Sequence, residues 1–391
     1  MSTARVVIVG SGIAGITAAE SLRAAGFTGP VTVIGEEPAL PYRRTALSKD
    51  LLAADLSDDK IRLRKPEFWA ERDIEIITDC VIAQIDADAR EAVAGDGRRF
   101  AYDALVLATG GRPRSVDAVD PAVPTLRHHA DALTLQERLA GQPVVVIGGG
   151  LIGLEIAASA AAAGSPVTVL EAAPSVLTRV MPDEVAAALI DLHSQHGVQI
   201  NTSVEIAQAT PDTVTTTDGA GFAGVVISAI GMVPSTALAE GAGATVGPAG
   251  VTVDEDLRTD VSGVYAAGDV AARPHPRTGE PTRAEQWMTA TEHGKLVATT
   301  IAADLGLDAE RADVPRVPLA WTVHYGRNVQ LVGWPGAADR IEVDGDIAGF
   351  DATVRCYDGD DLVGAVCLGR PAAGRALRTE IEQTLAAEVV A

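Results

Sequence analysis

The sequence predicts an α/β fold in which one strand–turn–helix–strand unit is used twice, and three observations carry that expectation. First, VVIVGSGIAGITAAESLRAAG at residues 6–26 is echoed by VVVIGGGLIGLEIAASAAAAG at residues 144–164, an offset of 138 residues. Second, each copy holds the same parts in the same order: a β-branched run leads directly into G-x-G-x-x-G and then into an alanine-rich segment. Third, 391 residues exceed one ordinary domain of roughly 100 to 200 residues, so two or three domains are expected.

Taken in order, Val6–Val9 and Val144–Ile147 are short and wholly apolar, the pattern of strands buried on both faces of a parallel sheet. The glycines follow at Gly10, Gly12 and Gly15, and again at Gly148, Gly150 and Gly153. The first of each trio permits a tight turn, the second lets the backbone approach a pyrophosphate, and the third lets helix and strand pack closely. The phosphates then rest on N–H groups at the start of the helix. Gly26 and Gly164 end those helices as C-caps. A second strand comes next, VTVIGE or VTVLE, closed by Glu36 in one copy and Glu171 in the other. These acids lie 21 residues past Gly15 and 18 past Gly153, close to the separation of about 20 at which a carboxylate accepts hydrogen bonds from a ribose diol. Two Rossmann-like units imply two dinucleotides, and the economical pairing is a flavin that receives electrons from a nicotinamide.

Composition narrows the partners. Lys and Arg number 31 against 53 Asp and Glu, a net charge of −22 that argues against nonspecific binding to DNA, RNA or an anionic membrane. An acidic partner would need a local basic patch, for which Arg62, Arg64, Lys65 and Arg72 are the sequence-local choice. Cys80, Cys356 and Cys367 form neither a CxxC pair nor a metal-ligand spacing, so no metal site and no disulfide framework is expected and a reducing cytoplasm fits. The uncharged stretch 219–239 contains Gly219, Gly221, Gly224, Gly231 and Pro234 and reads as a buried strand with turns rather than a membrane span. MSTARVVIVG lacks a cleavable signal pattern.

The paired fingerprints resemble those of the two-dinucleotide flavoprotein reductases of the glutathione-reductase-like superfamily, where the first unit binds FAD and the central one NAD(P)H. Further segments extend the resemblance over nearly the whole chain. LVLATG at 105–110 and VISAIG at 226–231 are similar to the strands and turns that leave the FAD and NAD domains. TDVSGVYAAGD at 259–269 is similar to a second FAD signature whose aspartate, Asp269 here, bonds the ribityl chain. Residues 41–52, PYRRTALSKDLL, have no cysteine where disulfide reductases carry CxxxxC. They resemble instead the Y-x-R-P-P-L-S-K segment of the ferredoxin and rubredoxin reductases that serve aromatic-ring dioxygenases and cytochromes P450. Tyr42, Arg44, Leu47, Ser48 and Lys49 match, and Thr45 and Ala46 replace the prolines. ATGGRPR at 108–114, GGGLIGLE at 148–155 and RAEQWMTATEHG at 283–294 resemble further segments of that branch, the last with Thr289 and His293 as departures. WTVHYGRNVQLVGWP at 321–335 resembles its W-S-D-Q-Y segment and the strand after it, with Thr322, Val323 and His324 departing from S-D-Q.

The resemblance implies FAD and NADH as cofactors. It implies an FAD-binding domain over 1–113 and 234–312, an NAD-binding domain over 114–233, and a smaller α+β C-terminal domain over 313–391. It adds Arg44, Lys49, Thr109, Gly110, Arg112, Glu285, Trp287, Trp321 and Gly231 to the fingerprint glycines, Glu36, Glu171 and Asp269 as cofactor-binding residues. The expected activity is that of an NADH:ferredoxin oxidoreductase, with a ferredoxin-type iron–sulfur protein as partner and a monomer or weak homodimer as the assembly. A reductase of a small acceptor, of the monodehydroascorbate reductase type, and a flavin-containing signalling protein of the apoptosis-inducing-factor type remain alternatives.

Three residues are expected to be catalytic. Lys49, one of four lysines, stands at a helix start in a mainly apolar context, and the resemblance puts it near the flavin. Glu155 follows Gly153 by two residues in an apolar helix, where a carboxylate gains about 0.3–1 kcal/mol from the helix dipole; the resemblance pairs it with Lys49 across the hydride-transfer gap. Trp287 is expected to wall the nicotinamide pocket, and Trp321 to pack against the flavin. His128 and His129 read as surface residues, and His193 and His196, at i, i+3, as a solvated helix face rather than a metal site.

Overall fold

The computed structural model describes residues 4–49 and 51–390. The chain gathers into two compact units. One takes the stretch ending at Arg43 together with Ser57–Arg112 and Val233–Arg316; the other takes Arg44–Leu56, Pro113–Met232 and the chain from Val317 onward.

The first unit is built on a five-stranded parallel sheet in the order Val264–Ala266, Ala104–Leu107, Val6–Val9, Val31–Ile34, Ile74–Ile77. Val6–Val9 and Ala104–Leu107 are buried at every residue, which is why they read as unbroken apolar runs rather than as alternation. The helix Ile13–Ala24 leaves the first glycine turn and ends in a Schellman arrangement: the Phe27 N–H donates to the Leu22 carbonyl, with Gly26 at φ +83° between them. This helix packs on Trp287–Asp304. The contact depends on Gly294, where a Cβ would stand 2.6 Å from the Ala14 carbonyl oxygen.

The second unit repeats the plan with a four-stranded parallel sheet, ordered Val198–Asn201, Val167–Leu170, Val144–Ile147, Val225–Ser228, and the helix Leu151–Ala162 after its glycine turn. Within the 219–239 stretch, Val225–Ser228 is the strand that lies in this sheet. The same unit contains a five-stranded antiparallel sheet in the order Leu319–His324, Arg327–Gly333, Asp361–Leu368, Asp351–Asp358, Arg340–Asp346. The helix Pro371–Val390 lays Leu377, Ile381 and Leu385 onto Val332, Ala365 and Cys367 of that sheet. Its first hairpin turns on Tyr325 and Gly326, both at positive φ (50° and 75°), the backbone that a tight two-residue turn demands. Among the described residues no helix is long and apolar enough to cross a membrane.

Candidate active site and dinucleotide cradles

The two glycine turns are built alike. Gly10 has φ +116°, and a Cβ there would lie 2.1 Å from the Ala108 carbonyl oxygen; at Gly148, with φ +106°, it would lie 2.5 Å from that of Ala229. Cβ atoms at Gly15 and Gly153 would each stand 2.1 Å from the carbonyl oxygen of the first glycine of their trio. The middle glycines differ: a Cβ at Gly12 or Gly150 would meet nothing within 4 Å. Each therefore faces open space at a helix start. The first helical turns, I-A-G-I and L-I-G-L, carry no acid. N–H groups aimed into space beside a residue without a side chain are suited to a pyrophosphate, so both turns fit a dinucleotide.

Around the first turn, Glu36 is exposed two residues beyond the end of Val31–Ile34. Thr109 donates its hydroxyl to the Ser235 carbonyl at 2.9 Å, Gly110 turns the chain at φ +62°, and Arg112 is exposed. Asp269 sits in the single turn Gly268–Val270. That turn is tied to the helix Trp287–Asp304 through His293, whose Nδ1 accepts the Gly268 N–H at 3.2 Å. Burial, assisted by the Arg273 cation, lowers His293 to about 3, so the ring is neutral and presents the lone pair that this bond requires. Glu285 is held by Arg283 at 2.5 Å, and Trp287 opens the helix half-buried.

Around the second turn, Glu171 receives two backbone hydrogens, from Gly149 on Oε2 and from Ala173 on Oε1, both at 2.7 Å. The carboxylate is thereby fixed at the rim of the glycine turn. Gly231 bends the chain at φ +97°.

Lys49 is not at a helix start as expected. It lies in a turn after the short helical turn Arg44–Ala46, and distant parts of the chain position it. The Leu52 N–H donates to Ser159 Oγ at 2.8 Å, the Gln136 amide donates to the Leu51 and Ala54 carbonyls, and the Arg44 guanidinium donates to the Arg127 carbonyl. Leu47 and Leu51 are buried. The result places Lys49 Nζ 2.5 Å from Glu155 Oε1. Glu155 is 4% exposed and accepts two further hydrogens, from Ser48 Oγ on Oε2 (2.5 Å) and from Thr322 Oγ1 on Oε1 (2.6 Å). It is the fifth residue of its helix, past the turn where the dipole acts most strongly, so these donors rather than the dipole sustain a buried carboxylate. The Lys49 side chain keeps 20% of its surface, donates to the Trp321 carbonyl at 3.4 Å, and lies 5.6 Å from the centre of the Trp321 ring. The second unit thus brings Lys49, Glu155 and Trp321 together and also holds Arg44, Gly231 and Glu171; Trp287, Asp269, Glu285 and the residues around Gly10 belong to the first.

Two expectations for histidines are overturned. His193 is fully buried rather than solvated, with Nε2 3.3 Å from His324 Nδ1 and Nδ1 3.2 Å from the Tyr325 hydroxyl. His196 is exposed and stacks on the Tyr325 ring at 3.6 Å. His129 is likewise buried, its ring 2.7 Å from the Leu56 carbonyl oxygen. A signal for the cluster stood in W-T-V-H-Y, where strand alternation sends Thr322 and His324 to the same buried face. The basic patch is partly neutralised: Arg64 pairs with Glu20 at 3.0 Å, Arg62 with Asp59, and Arg72 lies over the Phe68 ring.

Residues 4–294 match the pyridine nucleotide-disulphide oxidoreductase family, and residues 319–390 match the reductase C-terminal family. Rhodocoxin reductase of Rhodococcus erythropolis is 33% identical, over 97% of this chain and 90% of that protein. The ferredoxin–NAD(+) reductase component of the anthranilate 1,2-dioxygenase system of Burkholderia cepacia is 36% identical, over 95% of this chain and 92% of its own. Among solved structures, the reductase in the covalent putidaredoxin reductase–putidaredoxin complex superimposes with a TM-score of 0.91 at 32% identity, covering 98% of this chain and 94% of that one.

Proposed function

The chain belongs to the pyridine nucleotide-disulphide oxidoreductase family, and from that premise we propose that it is an FAD-containing, NADH-dependent reductase passing electrons to a ferredoxin-type iron–sulfur protein that serves a cytochrome P450 or a dioxygenase. The observation that carries this reading is the Lys49–Glu155 pair, in a chain with two open glycine turns and no cysteine at 41–52. The thiols it does have are buried, and burial pushes Cys356 up to about 12 and Cys367 to about 11, which keeps them protonated and inert. Unpaired thiols also suit a reducing cytoplasm, where we place the protein.

FAD is assigned to the fingerprint at Gly10, Gly12 and Gly15 with Glu36, Thr109, Gly110, Arg112, Asp269 and Glu285, and NADH to Gly148, Gly150, Gly153, Glu171 and Gly231. Of the proposed domains, 1–113 with 234–312, 114–233 and 313–391, the last boundary is supported by the break between the two family matches at 294 and 319 and those near 113 and 233 by changes of unit there, whereas 44–56 falls in the second unit. FAD, when bound, supplies hydride uptake and release of electrons one at a time. The chain supplies position and charge. Helix-terminal N–H groups hold phosphates, Glu171 takes a ribose diol, and Trp287, Trp321 and Arg44 shape the cofactor sites. With FAD bound, Lys49 would offer a fixed ammonium to developing negative charge, a stabilisation that would be greater in the transition state than before it. Glu155 holds that ammonium in place.

The test is an anaerobic NADH titration followed by cytochrome c reduction with and without a [2Fe–2S] ferredoxin. Uptake of two electrons per flavin and stimulation by a ferredoxin are expected. Uptake of four, or no stimulation by any ferredoxin tried, would reject the reading.

A further inference from the structure

We propose that Thr322, His324, His193 and Tyr325 form a proton relay that joins the buried Glu155 carboxylate to solvent. The inference rests on the NADH-dependent electron transfer proposed above. Oxidation of one NADH by two one-electron acceptors yields NAD⁺, two reduced acceptors and one proton, and that proton has to leave a site whose carboxylate is almost wholly buried.

The hydrogens along the series can be placed by elimination. A carboxylate only accepts, so the single hydrogen of Thr322 Oγ1 is donated to Glu155 Oε1 at 2.6 Å. The threonine oxygen is then an acceptor, and His324 Nε2, 3.0 Å away, carries the hydrogen given to it. That leaves His324 Nδ1 as the lone-pair nitrogen, which accepts from His193 Nε2 at 3.3 Å. His193 Nδ1 in turn accepts from the Tyr325 hydroxyl at 3.2 Å. Every hydrogen points the same way, toward Glu155. The inner members, Thr322, His324 and His193, are fully buried, whereas Tyr325 is half-buried and stacks on the exposed His196.

Both rings are neutral, as the assignment requires. Burial lowers His193 to about 3, with His324 and His196 acting in the same direction. Burial lowers His324 to about 4, reinforced by the Lys49 ammonium and opposed by the Leu154 carbonyl that faces the ring. Besides these, Glu155 is faced by Ser48 and Lys49, and Tyr325 by His193 and His196.

Outward passage begins when Lys49 takes up the proton released by NADH oxidation and gives a hydrogen from its own ammonium to Glu155 Oε1, 2.5 Å away, with each imidazole in its other tautomer. The carboxyl hydrogen moves to Thr322 Oγ1 as the threonine hydrogen moves to His324 Nε2. The His324 Nδ1 hydrogen moves to His193 Nε2, the His193 Nδ1 hydrogen to the Tyr325 oxygen, and the Tyr325 hydrogen to water. Each member ends with as many hydrogens as it began with, except Glu155, which has lost one. The final arrangement is the one in the structure. Thr322 and His324 are also positions where this sequence departs from the W-S-D-Q-Y pattern, so the relay belongs to this chain's own residues.

Histidine-¹⁵N-labelled holoenzyme examined by long-range ¹H–¹⁵N spectra between pH 6 and 8 should show His193 and His324 neutral, with hydrogen on Nε2 in both. In steady state with a one-electron acceptor, Tyr325→Phe and His193→Gln should leave KM for NADH unchanged, lower kcat by about tenfold and alter the solvent deuterium isotope effect; a direct acid–base group would cost roughly 10²–10⁴. Tyr325→Phe removes one oxygen from a half-buried ring and keeps the test open if His193→Gln does not fold. An Nδ1–H or charged ring at either histidine, or kcat and isotope effect unchanged in the variants, overturns the relay. A wild-type protein that transfers no electrons from NADH rejects the function itself, so the two failures are distinguishable.

Discussion

Removing the Lys49 side chain would leave Glu155 buried with two hydroxyl donors and no cation. Lys49→Ala should therefore lower folding stability by about 1–3 kcal/mol in urea denaturation, the cost of a buried polar group that loses a partner. Lys49→Ala combined with Glu155→Gln should recover part of that loss, because the charge left behind is gone. With its flavin retained, Lys49→Ala should also be reduced by NADH on the order of 10²-fold more slowly in stopped flow, the effect of losing one preorganised charge. Reduction at the wild-type rate would return Lys49 to a purely structural role. Glu171 supports a second expectation. Its carboxylate is pinned by two backbone N–H groups and cannot swing away from a 2′-phosphate. NADH should be preferred to NADPH by at least about tenfold in kcat/KM, or about 1.4 kcal/mol; equal use of both coenzymes would contradict the assignment.

At the scale of elements, the middle glycine of the second fingerprint separates folding from binding. Gly150 has φ −80° and ψ −178°, a backbone any residue adopts, and its added Cβ would touch no protein atom within 4 Å. Gly150→Ala should melt at the wild-type temperature while its Kd for NADH, measured by calorimetry, rises at least about tenfold. An unchanged Kd would place the pyrophosphate elsewhere. The two strand–turn–helix units were legible in the sequence because their determinants are local: an apolar run, three spaced glycines and a terminating glycine lie within one short stretch. Lys49 was legible as a residue but not as a conformation. The turn that holds it is set by Ser159, Gln136 and Arg127, each more than seventy residues away, and no local pattern reports such partners. His193 was misread for the same reason. It shares the buried helix face with Val185, Ala186 and Leu189, and what closes over it is a hairpin more than a hundred positions further on.

At the scale of the whole molecule, buried histidines set the acid limit of stability. His193, His324 and His293 all have folded-state values near 3 or 4 against an ordinary 6.5, and His275 is lowered too. The unfolded chain therefore binds more protons than the folded one below pH 6.5, and stability present above that value is lost as pH falls toward 4. Each of the first three should contribute a loss on the order of 1 kcal/mol by pH 5.5. Urea midpoints measured from pH 7.5 to 5 should fall steadily, and His324→Gln should flatten the slope; a flat wild-type profile would contradict the burial. Asp131, Asp256 and Asp304, held below the ordinary 3.8, titrate under this window and leave it to the histidines. The path of the chain has a separate consequence for anyone recombining it. It changes unit at Arg43, Leu56, Arg112, Met232 and Arg316, so Ser48, Lys49 and Thr322, the donors to Glu155, arrive on two excursions far from the helix that bears it. A chimaera that imports only residues 113–232 from a relative would inherit the carboxylate without its companions. Transplanting the site as a working whole requires 44–56 and the C-terminal sheet to travel with it.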